Sequence, residues 1–167
     1  IERGIDGCLG DIATAKCLHR NDVEKIDFLE AMEETCHGII AWAHRCADAC
    51  RSATANADET RRAELEAAAD RLYHVPEFGA RTFREALQTI YICFDMLPDS
   101  IGTIDRFLYP FYQKDISDGT LTREQAAGLL RELFLRLQCH TPVGDARRTK
   151  GGECHFAIGG YTEAGED

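Results

Sequence analysis

Cysteine and histidine side chains are the first candidates for chemistry in this sequence. Cys46 and Cys50 are four residues apart with His44 close by, a spacing that could place ligands for a metal ion on one face of a helix. A tetrahedral zinc site needs four converging ligands, usually from two short-spaced pairs, and only one such pair is present. Because cysteine is commonly a small buried hydrophobic residue, we expect helix packing here and no metal site.

Two Cys-His dipeptides, Cys139-His140 and Cys154-His155, form a second candidate. Adjacent residues on a helix or strand point in different directions, so each dipeptide offers one of its side chains to a shared site. A nucleophilic Cys–His pair also needs a third orienting group and surroundings that lower the thiol pKa. The pattern therefore favours a structural role for both dipeptides.

The stretch "DSIGTIDRFLYPFYQKDISDGTLT" (99–122) mixes aromatic residues with helix breakers. Asp99, Ser100 and Asp105 place polar groups among aromatic side chains, as in the lining of a small-molecule pocket. Gly102 permits a backbone conformation or close approach that a side chain would forbid. The stretch is equally compatible with a capped corner between two helices, in which Pro110 lies at or near a helix start. Spacing alone does not separate the two interpretations.

Charge and composition restrict the partners. The formal net charge of −10, from 19 basic and 29 acidic residues, provides no basic field for a phosphate backbone, so nucleic acid is not expected. Apolar runs such as "LQTIYICF" (87–94) are shorter than the roughly 18 residues that a membrane span needs. No leader pattern opens the chain. With eight cysteines and no CxxC, we expect reduced thiols in a cytoplasmic protein.

Helical periodicity covers most of the chain. Residues 22–52 place apolar side chains at steps of three and four, which draws one buried stripe. After a small, polar break at 52–59, residues 59–75 predict another helix, which Pro76 ends. Residues 83–96 are apolar on nearly every side and predict a deeply buried helix.

Two capping boxes mark helix starts. Thr82 precedes Glu85 by three residues, ahead of 83–96, and "TREQ" (122–125) opens the following helix. After Pro142 the pattern changes, and residues 153–158 predict a strand that ends at a glycine pair. We therefore expect one domain over 1–167, with a helical portion at 1–141 and a first strand-forming portion at 142–167.

Three stretches, in order, resemble the large domain of the glycyl radical enzymes, the superfamily of pyruvate formate-lyase and the glycerol and diol dehydratases. They are "VPEFGARTFREALQTIYICF" (75–94), "SIGTIDRFLYPFYQKDISDGTLTREQAAGLLRELFLRL" (100–137) and "GGECHFAIGGYTEAGED" (151–167). The resemblance implies an α/β fold, in which this chain is a helix-rich segment of a ten-stranded α/β barrel surrounded by helices. The chain itself is expected to be mostly α, with β-structure only near 153–158.

The resemblance also implies radical chemistry. In that superfamily, an activating enzyme that uses S-adenosylmethionine and an iron–sulfur cluster places a radical on a glycine of an RVxGY-like motif, and a loop cysteine attacks the substrate. Gly160 lacks the Arg-Val lead, and none of the cysteines matches the cysteine loop. We therefore expect this chain to be an excerpt, inactive alone, with no catalytic residue, no metal and no directly bound cofactor. Asp99 and Ser100 are its expected pocket residues.

The expected parent is an anaerobic glycyl radical enzyme that works as a homodimer on a small molecule. Its expected reaction is C–C cleavage, as in formate acetyltransferase, or dehydration. Thr103 and Arg106 replace the superfamily's usual Arg and Gln, which leaves the substrate open. The alternatives are a non-catalytic helical interaction module, whose apolar stripes would meet a partner helix, and a Cys/His metal-binding domain.

Overall fold

Helices make up most of the chain in a computed structural model, which describes residues 1–96, 101–139 and 156–159. The described elements are α1 (Gly4–Leu18), α2 (Val23–Ala53), α3 (Glu59–His74), α4 (Phe83–Met96), β1 (Gly102–Thr103), α5 (Ile104–Ser117), α6 (Arg123–Cys139) and β2 (Phe156–Ala157). The chain divides into two compact units, 1–80 and 81–167. Within the described ranges, no helix has both the length and the apolar content that a membrane span requires.

The first unit consists of α1, α2 and α3 and follows the predicted periodicity. α2 covers the predicted 22–52 almost completely, and a single 3₁₀ turn, Thr54–Asn56, occupies the predicted break. α3 ends one residue before the cis Val75–Pro76 peptide, so the predicted stop at the proline is confirmed. The predicted stripe of α2 is buried at its C-terminal half, through Ile39, Ala43 and Ala47.

The start of α1 is closed by backbone contacts that the sequence pattern did not reveal. The Ile5 and Asp6 N–H groups donate to the carbonyls of Pro76 and Glu77, both at 2.8 Å. Gly4 has a φ of +64°, and a Cβ built on it would lie 2.3 Å from the Glu77 carbonyl oxygen. Only glycine fits at Gly4, because both the conformation and the close approach exclude a side chain.

In the second unit, α4 is buried as predicted. Its buried residues recur on nearly every side of the helix, which is the arrangement expected of a core helix. The Glu85 carboxylate is also buried, and Arg81 approaches it to 2.6 Å, so the buried charge is paired. The buried apolar residues of α4 are Phe83, Ala86, Leu87, Ile90, Ile92 and Phe94.

Both predicted helix starts carry a capping contact from the predicted threonine, and at α6 the predicted reciprocal box is complete. At α6, the Thr122 N–H donates to Gln125 Oε1 at 2.8 Å and the Gln125 N–H donates to Thr122 Oγ1 at 3.2 Å, a complete reciprocal box. At α4, the Glu85 N–H donates to Thr82 Oγ1 at 3.2 Å. The Glu85 carboxylate accepts the N–H of Arg81, one residue before Thr82, at 2.7 Å.

A long-range contact completes the start of α4. The Phe83 N–H donates at 2.8 Å to Oδ2 of Asp115, which lies near the end of α5 and is 5% exposed. The backbone carbonyl of Asp115 accepts the N–H groups of Thr120 and Leu121, which follow α5. One residue therefore satisfies the entry to α4 through its side chain and the exit from α5 through its backbone.

One detail of the helix-corner interpretation and one expectation for the second unit are wrong. Pro110 lies inside α5, six residues after its first residue, and does not begin a helix. The helix tolerates it because Pro110 and Arg106, whose carbonyl loses its usual donor, are both on the exposed side, where water can bind that carbonyl. β-structure is also not confined to the C-terminal end, because β1 lies at Gly102–Thr103, where a strand pairs with the one predicted near 153–158.

Asp115→Ala should destabilise the protein by about 1–3 kcal/mol, because it leaves the buried Phe83 N–H without an acceptor. Urea unfolding followed by circular dichroism measures this change. Asp118→Ala is the matched control: it removes an exposed carboxylate from the same region, 3.6 Å from Lys114, and should cost less than about 0.5 kcal/mol. Equal losses in the two variants would contradict the capping role of Asp115.

Candidate functional site

The two predicted pocket residues, Asp99 and Ser100, lie outside the described residues. The described chain resumes at Ile101 and enters β1 at the next residue. Asp105, the third polar residue of that stretch, is described and lies half-buried in the first turn of α5. The structure therefore describes only the part of the predicted site that follows Asp99 and Ser100, namely β1 and the start of α5.

The cysteine and histidine candidates of the first unit do not form a metal site in the part of the chain that is described. No group of three or more His, Cys, Asp or Glu side chains there is placed to hold a metal ion. His44 Nε2 lies 2.9 Å from Glu77 Oε2, and the His44 ring lies 5.1 Å from that of Tyr73. Cys46 and Cys50 are half-buried along α2. His44 is thus engaged by a carboxylate and an aromatic ring.

The Cys-His dipeptides are mostly beyond description. Cys139 is the last residue of α6, while His140, Cys154 and His155 lie outside the described residues. Among the described thiols, burial raises the pKa of Cys36, which disfavours the thiolate that a nucleophile needs. Besides Cys36, thiols that form no disulfide include Cys8, Cys17 and Cys50.

A parallel strand pair brings two predicted segments together. β1 and β2 pair in parallel, with Gly102 opposite Phe156 and Thr103 opposite Ala157. The first belongs to the stretch predicted to line a pocket, and the second to the segment predicted as a strand. Residues 156–157 confirm a strand within the predicted 153–158, while 153–155 lie outside the described residues.

The Asp105 carboxylate fastens this pair to α5. Its Oδ2 accepts the N–H of Gly159 at 2.6 Å, and its Oδ1 accepts the N–H of Arg106 at 3.0 Å. The hydrogen bond from Gly159 is the main cause that lowers the pKa of Asp105. The N-terminus of α5 provides a further favourable setting for the negative charge. Asp105 is therefore held as an anion by backbone donors, which suits positioning and disfavours proton transfer.

Aromatic rings flank the strands. The rings of Phe134 in α6 and Phe156 in β2 stack at 5.2 Å between centroids and 11° between planes. On the other strand, Phe107 packs close to Gly102, where an added Cβ would lie 3.3 Å from its ring. Ile158, just after β2, remains 69% exposed. The strand pair is thus packed by α5 and α6, yet keeps apolar surface.

Sequence reasoning missed two members of this arrangement. The sequence pattern does not indicate that Phe134 of α6 meets the second strand, and it marks the glycine pair that includes Gly159 only as the end of a strand. For Gly159 the residue type itself was a local signal. Its φ is +84°, a conformation that glycine readily adopts and that favours a turn after the strand. No local signal exists for the partner of Asp105, which lies 54 residues away in sequence.

Gly102→Ala should destabilise the protein by about 1–2 kcal/mol, because Gly102 has a φ of +79° and the added methyl meets Phe107. Gly128→Ala is the control: nothing lies within 4 Å of its added Cβ in α6, and alanine should stabilise that helix by up to about 1 kcal/mol. Chemical unfolding of both variants measures the difference. A destabilised Gly128→Ala with an unchanged Gly102→Ala would refute this reading.

Asp105 should also make stability depend on pH. Its pKa is lower in the folded protein than in an unfolded chain, so its contribution is present above the unfolded value of about 4 and is lost as pH falls through the folded pKa. Between about pH 6 and pH 3, the thermal midpoint should fall more for the wild type than for Asp105→Asn. Asp118→Asn is the control. If the thermal midpoints of the wild type and Asp105→Asn fall equally between these pH values, Asp105 does not contribute to the pH dependence of stability.

Comparison with known sequences and solved structures identifies proteins that are similar to this chain. An isethionate sulfite-lyase from Oleidesulfovibrio alaskensis is 38% identical over 165 residues, which cover 89% of this chain and 20% of the relative. A structure solved to explain 1,2-propanediol dehydration in Roseburia inulinivorans has a TM-score of 0.86 and 28% identity, and covers 98% of this chain and 23% of that one. A glycyl radical enzyme structure from Archaeoglobus fulgidus has a TM-score of 0.85 and 26% identity, and covers 99% and 23%.

The chain spans about a fifth of the length of the curated relatives that it matches. Its described helices and short parallel pair correspond to a helix-rich section of the α/β barrel of the matched structures, as predicted. The pyruvate formate lyase-like family matches residues 1–167. The chain therefore belongs to the pyruvate formate lyase-like family of the glycyl radical enzyme superfamily.

Proposed function

We propose that this chain is a section of a glycyl radical enzyme that cleaves a bond in a small organic molecule by lyase or dehydratase chemistry. The observation that carries the proposal is the family match over all 167 residues. It is supported by the similarity to an isethionate sulfite-lyase and to the protein of 1,2-propanediol dehydration. Because the chain covers a fifth of such relatives, the activity belongs to the whole protein.

Elimination of a leaving group is the reaction class that these two relatives support. Both a sulfite-lyase and a dehydratase release a small group from a substrate, and either reaction fits the proposal. C–C cleavage of the formate acetyltransferase type is the second candidate, favoured by the pyruvate formate lyase-like description of the family. The sulfite-lyase and the protein of 1,2-propanediol dehydration favour elimination over C–C cleavage.

The radical machinery is proposed to lie outside this chain. A glycyl radical supplies the means to abstract a hydrogen atom from the substrate by way of a cysteine. We place both residues elsewhere in the protein, and we propose that an activating enzyme with S-adenosylmethionine and an iron–sulfur cluster installs the radical. We also propose that the whole protein is a cytoplasmic homodimer.

The residues of this chain are proposed to shape the substrate pocket. Asp99 and Ser100 supply polar groups that bind the substrate, and β1 begins two residues after Ser100. The pairing of β1 with β2 and the hydrogen bond from the Gly159 N–H to Asp105 give β1 and the start of α5 fixed neighbours. A polar group on a rigid support loses less free energy when it orients a substrate.

The test of the proposed function uses the full-length protein, activated anaerobically by its activating enzyme. Electron paramagnetic resonance should show a glycyl radical doublet, and incubation with isethionate, 1,2-propanediol, or pyruvate with coenzyme A should identify the reaction. Release of sulfite or water supports elimination, and formation of formate supports C–C cleavage. If treatment with the activating enzyme yields no glycyl radical signal, the proposal is overturned.

Substitution of Asp99 by Asn and of Ser100 by Ala should each lower turnover roughly tenfold, since a lost hydrogen bond to substrate is worth about 1–1.5 kcal/mol. Radical content should not change, because neither residue takes part in activation. The matched controls are Asp118→Asn and Ser117→Ala, on the exposed end of α5. Unchanged turnover in the first pair would remove Asp99 and Ser100 from the pocket.

A further inference from the structure

A single carboxylate links two segments of the second unit that are far apart in sequence. Asp105 is in the first turn of α5, and Gly159 follows β2, 54 residues later. The Gly159 N–H donates to Asp105 Oδ2 at 2.6 Å, and a hydrogen bond to an ionised acceptor is stronger than one between neutral groups. It joins the end of one strand of the parallel pair to the helix that begins directly after the other strand.

We propose that Asp105 is a positioning residue, which holds the turn at Gly159 against the start of α5 and thereby keeps β1 and β2 aligned in the pocket wall. The inference rests on the proposed function, because the pocket wall belongs to the proposed enzyme. Asp105 acts through the backbone that it holds.

The strand pair by itself is too short to fix its own alignment. Only Gly102–Phe156 and Thr103–Ala157 pair in the described residues, and such a short two-stranded ladder is marginal in water. On one side, Phe156 is fixed to α6 by its stacked contact with Phe134. The bond to Asp105 supplies the second anchor, to α5, at the end of β2. Two anchors to two helices define both the position and the direction of the strand.

The local geometry is built for this contact. Gly159 has a φ of +84°, which turns the chain after β2 at a position where a side chain would be strained. The second oxygen of Asp105 accepts the Arg106 N–H, which orients the carboxylate from within its own helix. Both oxygens thus accept backbone N–H groups, which stabilises the anion and disfavours proton transfer by Asp105.

Two variants separate positioning from charge. Asp105→Ala removes the acceptor, whereas Asp105→Asn keeps an oxygen that can accept the Gly159 N–H. Asp118→Asn is the control, since it removes a carboxylate at the other end of α5 that pairs only with Lys114 in the described structure. The three variants are made in the full-length protein. The rate of hydrogen exchange at the Gly159 amide is measured at neutral pH.

In Asp105→Ala, exchange at Gly159 should accelerate about tenfold, and KM should rise about tenfold while kcat and glycyl radical content stay within about twofold of wild type. Asp105→Asn should restore most of both values. A purely structural role would instead lower the thermal midpoint and the radical content together, and that result overturns the inference. So does accelerated exchange without any change in KM.

The failure of the inference is distinguishable from failure of the proposed function. If the wild-type protein forms no radical, the proposed function fails, and the exchange of Gly159 in the three variants still decides whether Asp105 holds the turn. Unaltered exchange in Asp105→Ala overturns the positioning role, whatever the activity of the wild type.

Discussion

The start of α4 depends on the buried carboxylate of Asp115. A buried helix cannot leave its first N–H groups without acceptors, because water does not reach them. The second unit satisfies this constraint with a side chain from the end of α5, at 2.8 Å from the Phe83 nitrogen. This contact therefore joins the first turn of α4 to the last turns of α5. The flanking bonds of Arg81, Thr82 and Glu85 refine that start.

Sequence reasoning succeeded where the cause was local. The spacing of apolar residues set the helices, and the caps at Thr82 and Thr122 set their starts, because each contact spans three or four residues. Its failures came from contacts that span dozens of residues. Nothing near Gly102 shows that it will pair with a strand at Phe156, and nothing near Phe83 names Asp115 as its acceptor.

The proline of α5 illustrates a second source of error. Proline is over-represented at the first position of a helix, and the aromatic residues on both sides of Pro110 make it hard to tell from the sequence which side of this helix faces solvent. In the structure, Pro110 and Arg106 are both exposed, so the missing donor is tolerated within the helix. The pocket residues Asp99 and Ser100 lie outside the described residues and stay a prediction, and the sequence pattern did not indicate what Asp105 binds. For Asp105, the sequence left a pocket lining and a helix corner equally open, and in the structure its carboxylate accepts two backbone N–H groups.

The contact between the first helix and the segment after α3 has a consequence for ligands. Helix N-termini bind phosphate and carboxylate groups when their N–H donors are vacant. At α1 the donors of Ile5 and Asp6 are already taken by the carbonyls of Pro76 and Glu77, and Gly4 leaves no room beside them. These two donors are therefore not vacant for an anionic ligand, and at this helix end they serve to join the start of α1 to the segment that follows α3.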